Sequence, residues 1–342
     1  MAQINKPDEY FNTVLYTGNG GTNAITGVGF QPDWVWIKNR PDAKDHQIYD
    51  SVRGTTKVIG SDRTSAEATV SNGLTAFGSD GFTVGADSNV NDNGDSHVSW
   101  NWLASNTTAS NTDGSITSTV SANTTSGFSV VSYTGTGANA TVGHGLGSAP
   151  SMIIVKNRSA VKDWVIYHKS LGNTKFLEFT TSGEQTASNR WNNTTPTNSV
   201  FSLGSDNGAN GSGNSHIAYC FAEKKGFSKF GSYTGNGNAD GPFIYTGFRP
   251  AFVMTKRTDG ASDWAMMDNK RPNEFNVVQN YLKAQANDAE QTDDSFNIDI
   301  LSNGWKARYN NGNYNASGGS YIYMAFAENP LVGTNNIPAT AR

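Results

Sequence analysis

Cysteine is nearly absent: Cys220 is the single one in 342 residues, so no disulfide framework inside the chain and no thiolate zinc cluster can hold it together. Charge is scarce as well, at 16% Asp, Glu, Lys and Arg against about 25% in an average globular domain. A formal net charge of −4 leaves no basic excess for phosphates or an anionic bilayer, which argues against a nucleic-acid partner. No apolar run approaches the ~18 residues of a membrane span. The opening MAQINKPDEYFNTV has no apolar signal-peptide core, so membrane insertion and signal-directed export are both unexpected. Sustained helical periodicity is missing too. The familiar catalytic strings GxSxG, HExxH and the P-loop do not occur, and the eight glutamates show no paired-acid spacing of the kind a β-sandwich glycosidase needs. The sequence points away from an enzyme.

What replaces charge is amide and hydroxyl: 39 Asn and 37 Gly accompany abundant Ser and Thr. These residues punctuate a pattern that occurs three times. YTGNG at Tyr16, YTGTG at Tyr133 and YTGNG at Tyr233 each open a unit. A Gly/Pro turn then leads into an apolar strand, GFQPDWVWIKNR, GLGSAPSMIIVKNR and GFRPAFVMTKR. Each unit closes on a Gly turn and a further strand, GDSHVSWNWLA from Gly94, GNSHIAYCFAE from Gly213 and GGSYIYMAFAE from Gly318. Near-equal spans from opening Tyr to closing Gly argue for three copies of one module.

Short apolar runs bounded by Gly, Asn, Asp and Pro make the class all-β, and three tandem β-sandwich modules of jelly-roll or concanavalin-like type fit the spacing. The expected division is a sandwich over 1–105, a Ser/Thr/Asn-rich linker or pair of exposed strands over 106–127, sandwiches over 128–226 and 227–330, and an extended tail over 331–342. Trp34-Val35-Trp36-Ile37 and its counterparts are apolar on both faces, which predicts burial on both. The closing strands alternate, Val98, Trp100 and Trp102 against Ser99 and Asn101, which predicts one buried face. Cys220 reads as a small buried hydrophobe. Residues 273–290 carry helix formers, yet the matching region of the second unit is β-like, so a strand with a short turn of helix is expected.

Candidate ligand contacts fall on the polar loops, where sandwiches carry their variable surface. Asp87, Asn89, Asn91, Asp92 and Asp95 form one cluster of oxygen ligands, with Asp206 and Asn210 in the equivalent turn. No glutamate closes a calcium loop there, so calcium is the one cofactor the sequence leaves open and none is required. Trp191, Tyr309 and Tyr314 stand among Asn and Arg and are the aromatics expected at the surface, where a ring can stack on a sugar. His97 and His216 recur at one turn-to-strand position, with Tyr321 third, which fits a structural hydrogen-bonder better than a metal ligand.

The strings INKPDEYFNTVLYTGNG, GFQPDWVWIKNR with DSVRG, GLGSAPSMIIVKNR with DWVIYHKSLGNTK, FGSYTGNGNADGPFIYTGFRP and the terminal AENPLVGTNNIPATAR together resemble a family of bacteriophage virion proteins, common in marine and cyanobacterial phages, built from repeated concanavalin-like domains of unassigned function. The resemblance implies a place on the phage particle and synthesis in the host cytoplasm without a signal peptide. It implies other virion proteins as partners, and a homo-oligomer, trimeric by analogy with tail appendages. The function it suggests is a tail-fibre component or adhesin binding a host surface glycan, where repeated weak sites would give avidity. A head-decoration or tail-assembly protein with no glycan ligand is the alternative, and a glycan-degrading enzyme comes third. With no heptad or triple-helix segment, the chain is a compact tip, knob or bracket and not a shaft.

Overall fold

The computed structural model describes residues 3–271, 276–292, 296–333 and 338–340. The chain is all-β, built from antiparallel sheets in which one strand order recurs three times. In the first repeat the opening strand Phe11–Thr17 pairs with the closing strand Ser96–Trp102, which pairs with the second strand Trp34–Asn39, which pairs with the third, Gln47–Asp50. Phe128–Thr134, Ser215–Phe221, Met152–Asn157 and Val165–His168 repeat that order, as do Ser228–Thr234, Ser320–Pro330, Phe248–Arg257 and Trp264–Asp268. The turn into each closing strand passes through a left-handed glycine, Gly94, Gly213 and Gly318 at φ 88°, 72° and 71°, a conformation open to a residue without Cβ.

Each large sheet faces a small one across a local core. Val35, Ile37, Phe82 and Val84 fill the first, Ile153, Val155, Phe201 and Leu203 the second, and Val253, Met267, Ile300 and Trp305 the third. The opposite faces of the three large sheets meet one another in a shared core that includes Trp34, Trp36, Trp100 and Trp102, Ile154, Trp164 and Phe221, and Phe252, Trp264 and Phe326. This explains the two-sided apolar second strand: Val35 and Ile37 enter the local core while Trp34 and Trp36 enter the shared one.

The same arrangement corrects the closing strand. Ser99 and Asn101 are buried, not solvent-facing, and Asn101 Nδ2 donates to the Asn12 carbonyl and to Ser99 Oγ at 3.1 and 3.0 Å. Of the two expectations for 106–127, a linker or a pair of exposed strands, the structure has a pair of strands, and they belong to the second sheet. Ala109–Asn111 and Ser118–Asn123 add two strands beside Phe128–Thr134, because Ile116 and Val120 reach the local core and Ser121 Oγ donates to Asp33 at 3.1 Å. Of the ambiguous stretch 273–290, residues 273–275 lie outside the described residues, Asn280–Lys283 is a strand and a turn follows it. The expected extended tail doubles back: Val332 bridges Pro338, and Gln3 Nε2 donates to the Val332 carbonyl at 2.6 Å. Residues 334–337 and 341–342 lie outside the described residues.

The three repeats close on themselves. Glu67 N donates to the Arg158 carbonyl (2.9 Å), Glu184 N to that of Thr258 (2.7 Å) and Glu290 N to that of Arg40 (2.7 Å), so first meets second, second meets third and third meets first. A head-to-tail contact that closes after three steps is a ring, here within one chain. Among the described residues no helix is long and apolar enough to cross a membrane.

Candidate functional site

The loops singled out by composition are held mainly by their own hydrogen bonds. Asn91 Nδ2 donates to the carbonyls of Gly21 (2.6 Å) and Gly85 (2.8 Å) while its Oδ1 accepts from Asn19 N (2.9 Å). Asn210 does the same with Ala138, Gly204 and Thr136 N at 2.6, 2.8 and 2.8 Å. Asn315 is the third copy, on Asn238, Tyr309 and Asn236 N at 2.8, 2.8 and 2.9 Å. Each is fully buried, so these amides brace the YTG loop. Beneath each brace an aromatic pair stacks: Tyr16 on His97, Tyr133 on His216 and Tyr233 on Tyr321, with centroids 5.0, 5.1 and 4.9 Å apart. His97 and His216 thus occupy the position that Tyr321 fills in the third repeat, and burial pulls both imidazoles below their ordinary pKa.

Asp87 caps the short helix Ser88–Asn91 by accepting from Asn89 N (2.9 Å) and Asn89 Nδ2 (3.0 Å). Asp206 caps Asn207–Asn210 and also pairs with Arg190. Two expected surface aromatics are internal: Trp191 sits edge-on against Tyr167 at 5.7 Å, and Tyr314 OH donates to the Asn297 carbonyl at 3.0 Å. Their polar sequence neighbours masked side chains that turn into the core. Tyr309 is exposed as expected, and Phe243 and Tyr245, which sequence reasoning passed over, are exposed at 46% and 57%. The signal for these two was the alternation Phe-Ile-Tyr, since Ile244 between them is buried.

Asp92 and Asp95 meet Asp42, with carboxylate oxygens within 4.8 Å of one another, the one such acidic group among the described residues. Lys44 Nζ lies 3.3 Å from Asp92, and Asn39 Nδ2 donates to Asp95 at 2.8 Å, so two of the three acids already have partners; Asp87 and Asn89 stand apart from the trio.

The densest electrostatics lie at the seams between repeats. At the first-to-second seam Arg53 is clamped on the Asp50 carboxylate and reaches Glu67 at 3.2 Å, while Arg158 grips Glu67 with two bonds of 2.9 Å and Tyr219 OH donates to Asp50 at 2.7 Å. The third-to-first seam repeats the design: Arg271 bonds Asp268 (2.6 Å) and Glu290 (3.1 Å), Arg40 grips Glu290 at 3.0 and 2.7 Å, and Trp100 Nε1 donates to Asp268 at 3.0 Å. Burial pushes the Glu67 and Glu290 carboxyls up, but their arginines outweigh it and hold both below the ordinary value.

The second-to-third seam departs from this pattern. His168 occupies the strand position of Asp50 and Asp268, opposite Met152 as they are opposite Trp34 and Phe252. Leu171 stands where Arg53 and Arg271 stand, and Thr258 where Arg158 and Arg40 stand. His168 Nε2 lies 3.2 Å from the Tyr323 carbonyl, and burial lowers its pKa to about 4. Glu184 survives and pairs with Lys175. A cleft of about 420 Å³ opens here, lined by Leu171, Lys175, Glu184, Thr258 and Asp259 with Tyr233 at its wall.

No curated protein matches the chain. A family described as a domain of unknown function, DUF7483, matches residues 6–330, a span that takes in all three strand repeats and every seam, and the chain belongs to that family.

Proposed function

We propose that the protein is a non-enzymatic structural component of a phage particle that works by docking onto other virion proteins. The observation that carries this reading is the closed ring of three repeats about one shared core, which joins three sheets of like strand order within a single chain. Such a ring suits a partner of threefold symmetry. Several of its buried ionisable groups serve the ring. Lys156 and Lys256 donate across seams to the carbonyls of Thr64 (2.8 Å) and Thr181 (3.1 Å), and with Lys38 they are lowered to about 8 by burial. The phage setting comes from the sequence resemblance.

A second reading, adhesion to a host surface glycan, is favoured by Phe243 and Tyr245, exposed on one face of a strand at the edge of its small sheet. Gold-labelled antibody against the protein, applied to purified particles, tests the first reading. Labelling at a fixed place on intact particles is expected, and particles that carry none of the protein would end it. Binding of the labelled protein to host cells, abolished by periodate, would support the glycan reading instead.

A further inference from the structure

The three seams are built to one plan, and two are filled while one is open. The equivalence rests on the backbone bonds from Glu67, Glu184 and Glu290 to the next repeat. In both filled seams that glutamate receives two guanidinium groups, one from its own repeat and one from the next. In the open seam both arginines are gone, yet the acceptor remains. We propose that this cleft receives a guanidinium group from outside, an arginine side chain of a partner protein, with Glu184 as its principal acceptor. For the partner being a protein, this rests on the docking role proposed above.

The chemistry of the pocket follows from the chain's own templates. Arg158 and Arg40 show that a guanidinium approaching from the next repeat meets the glutamate with two nitrogens, the planar fork that matches a carboxylate. Thr258 replaces that arginine with a short hydroxyl side chain and leaves its volume free. Leu171 supplies an apolar wall for the methylene stem, while Asp259 at the rim is already held by Arg257 at 2.7 Å, which leaves Glu184 as the acceptor. Lys175 covers Glu184 for now. Its side chain is 38% exposed, so an ion pair of this kind is weak and the ammonium can swing into solvent when a better-matched donor arrives.

Arginine amide, titrated into the full-length protein by calorimetry with lysine amide as the comparison, tests the proposal. Saturable binding of arginine amide is expected, with lysine amide at least about tenfold weaker because a point charge cannot make the paired bonds. Glu184→Gln should remove the binding. Thr258→Arg should remove it as well, by placing a tethered guanidinium where Arg158 and Arg40 sit, without lowering the melting temperature. No binding of arginine amide, equal binding of lysine amide, or binding that survives both substitutions would overturn the proposal. Those failures concern the cleft alone, since the docking role stands or falls on the labelled particles.

Discussion

Phe179 packs edge-on against Trp264 with ring centroids 5.2 Å apart and planes at 70°. It makes the same contact with Trp164 at 5.6 Å and 70° and with Trp36 at 5.8 Å and 69°. These tryptophans belong to three different repeats, so one phenylalanine from the second repeat sits where the three large sheets converge. Its register counterparts are small, Ser61 and Ala284, both buried. Three large rings could not share that point, and the chain resolves the crowding by using one large residue and two small ones. Truncating it should therefore damage the whole ring. Phe179→Ala is expected to cost about 3–5 kcal/mol through lost burial and the cavity left among three indoles. Equilibrium denaturation checks this; a loss under about 1 kcal/mol would show that the tryptophans collapse into the gap.

The arginine clamps make a second prediction. Arg271 is fully buried between Asp268 and Glu290; Glu290 keeps Arg40, but Arg271→Leu leaves the buried Asp268 carboxylate without its cation and should cost about 3–5 kcal/mol. The second repeat indicates how the cost is relieved, because it pairs Leu171 with His168 where the others have Arg and Asp. Adding Asp268→His to Arg271→Leu should recover part of the loss. A double-mutant cycle that comes out additive would mean the two side chains do not act as a unit.

How far the sequence foretold this structure depends on whether the deciding contact is local. Trp34-Val35-Trp36-Ile37 announced two buried faces because alternation is a property of neighbours, and the structure supplies a core for each. Ser99 and Asn101 misled for the opposite reason: a polar side chain can turn inward when its amide bonds the strand itself, and no letter records that bond. Trp191 and Tyr314 lie among Asn and Arg, which hid their inward turn. The Glu67–Arg158 and Arg40–Glu290 pairs join residues far apart in the chain, so no spacing rule could have found them. Asp92 and Asp95 were legible as acids, while their third partner Asp42 comes from a distant loop.

Acid should loosen the fold earlier than carboxylate titration alone requires. Burial holds all five histidines below their ordinary value, His46 to about 3 and His168 and His216 to about 4. Between those values and 6.5 the unfolded chain binds more protons than the folded one, so stability rises with pH across that window and is lost as pH falls through it. Asp62 runs the other way, pushed up to about 7 by burial and by Asp45, so its contribution declines as pH rises from about 4 to 7. Asp33 and Glu178, also raised chiefly by burial, act in the same direction as Asp62, so five imidazoles oppose three carboxyls. Melting temperature should fall steadily from pH 6.5 to 4, and a flat profile would contradict the buried-neutral state of these imidazoles.

The exposed aromatics separate folding from recognition. Phe243 and Tyr245 alternate with buried Ile244, so Phe243→Ser with Tyr245→Ser removes surface area without opening the core. Stability should change by no more than about 0.5 kcal/mol for each replacement. Asn91→Ala should behave in the opposite way, because it leaves the Gly21 and Gly85 carbonyls and Asn19 N without their partner, at about 1–3 kcal/mol for each group left unsatisfied. Cell binding measured on both proteins then discriminates between the two functional readings. If the folded Ser/Ser protein loses adhesion while Asn91→Ala keeps it wherever it stays folded, the third repeat's small sheet carries a glycan contact. If neither substitution alters adhesion, these aromatics are not a sugar platform and docking onto virion proteins remains the role to pursue.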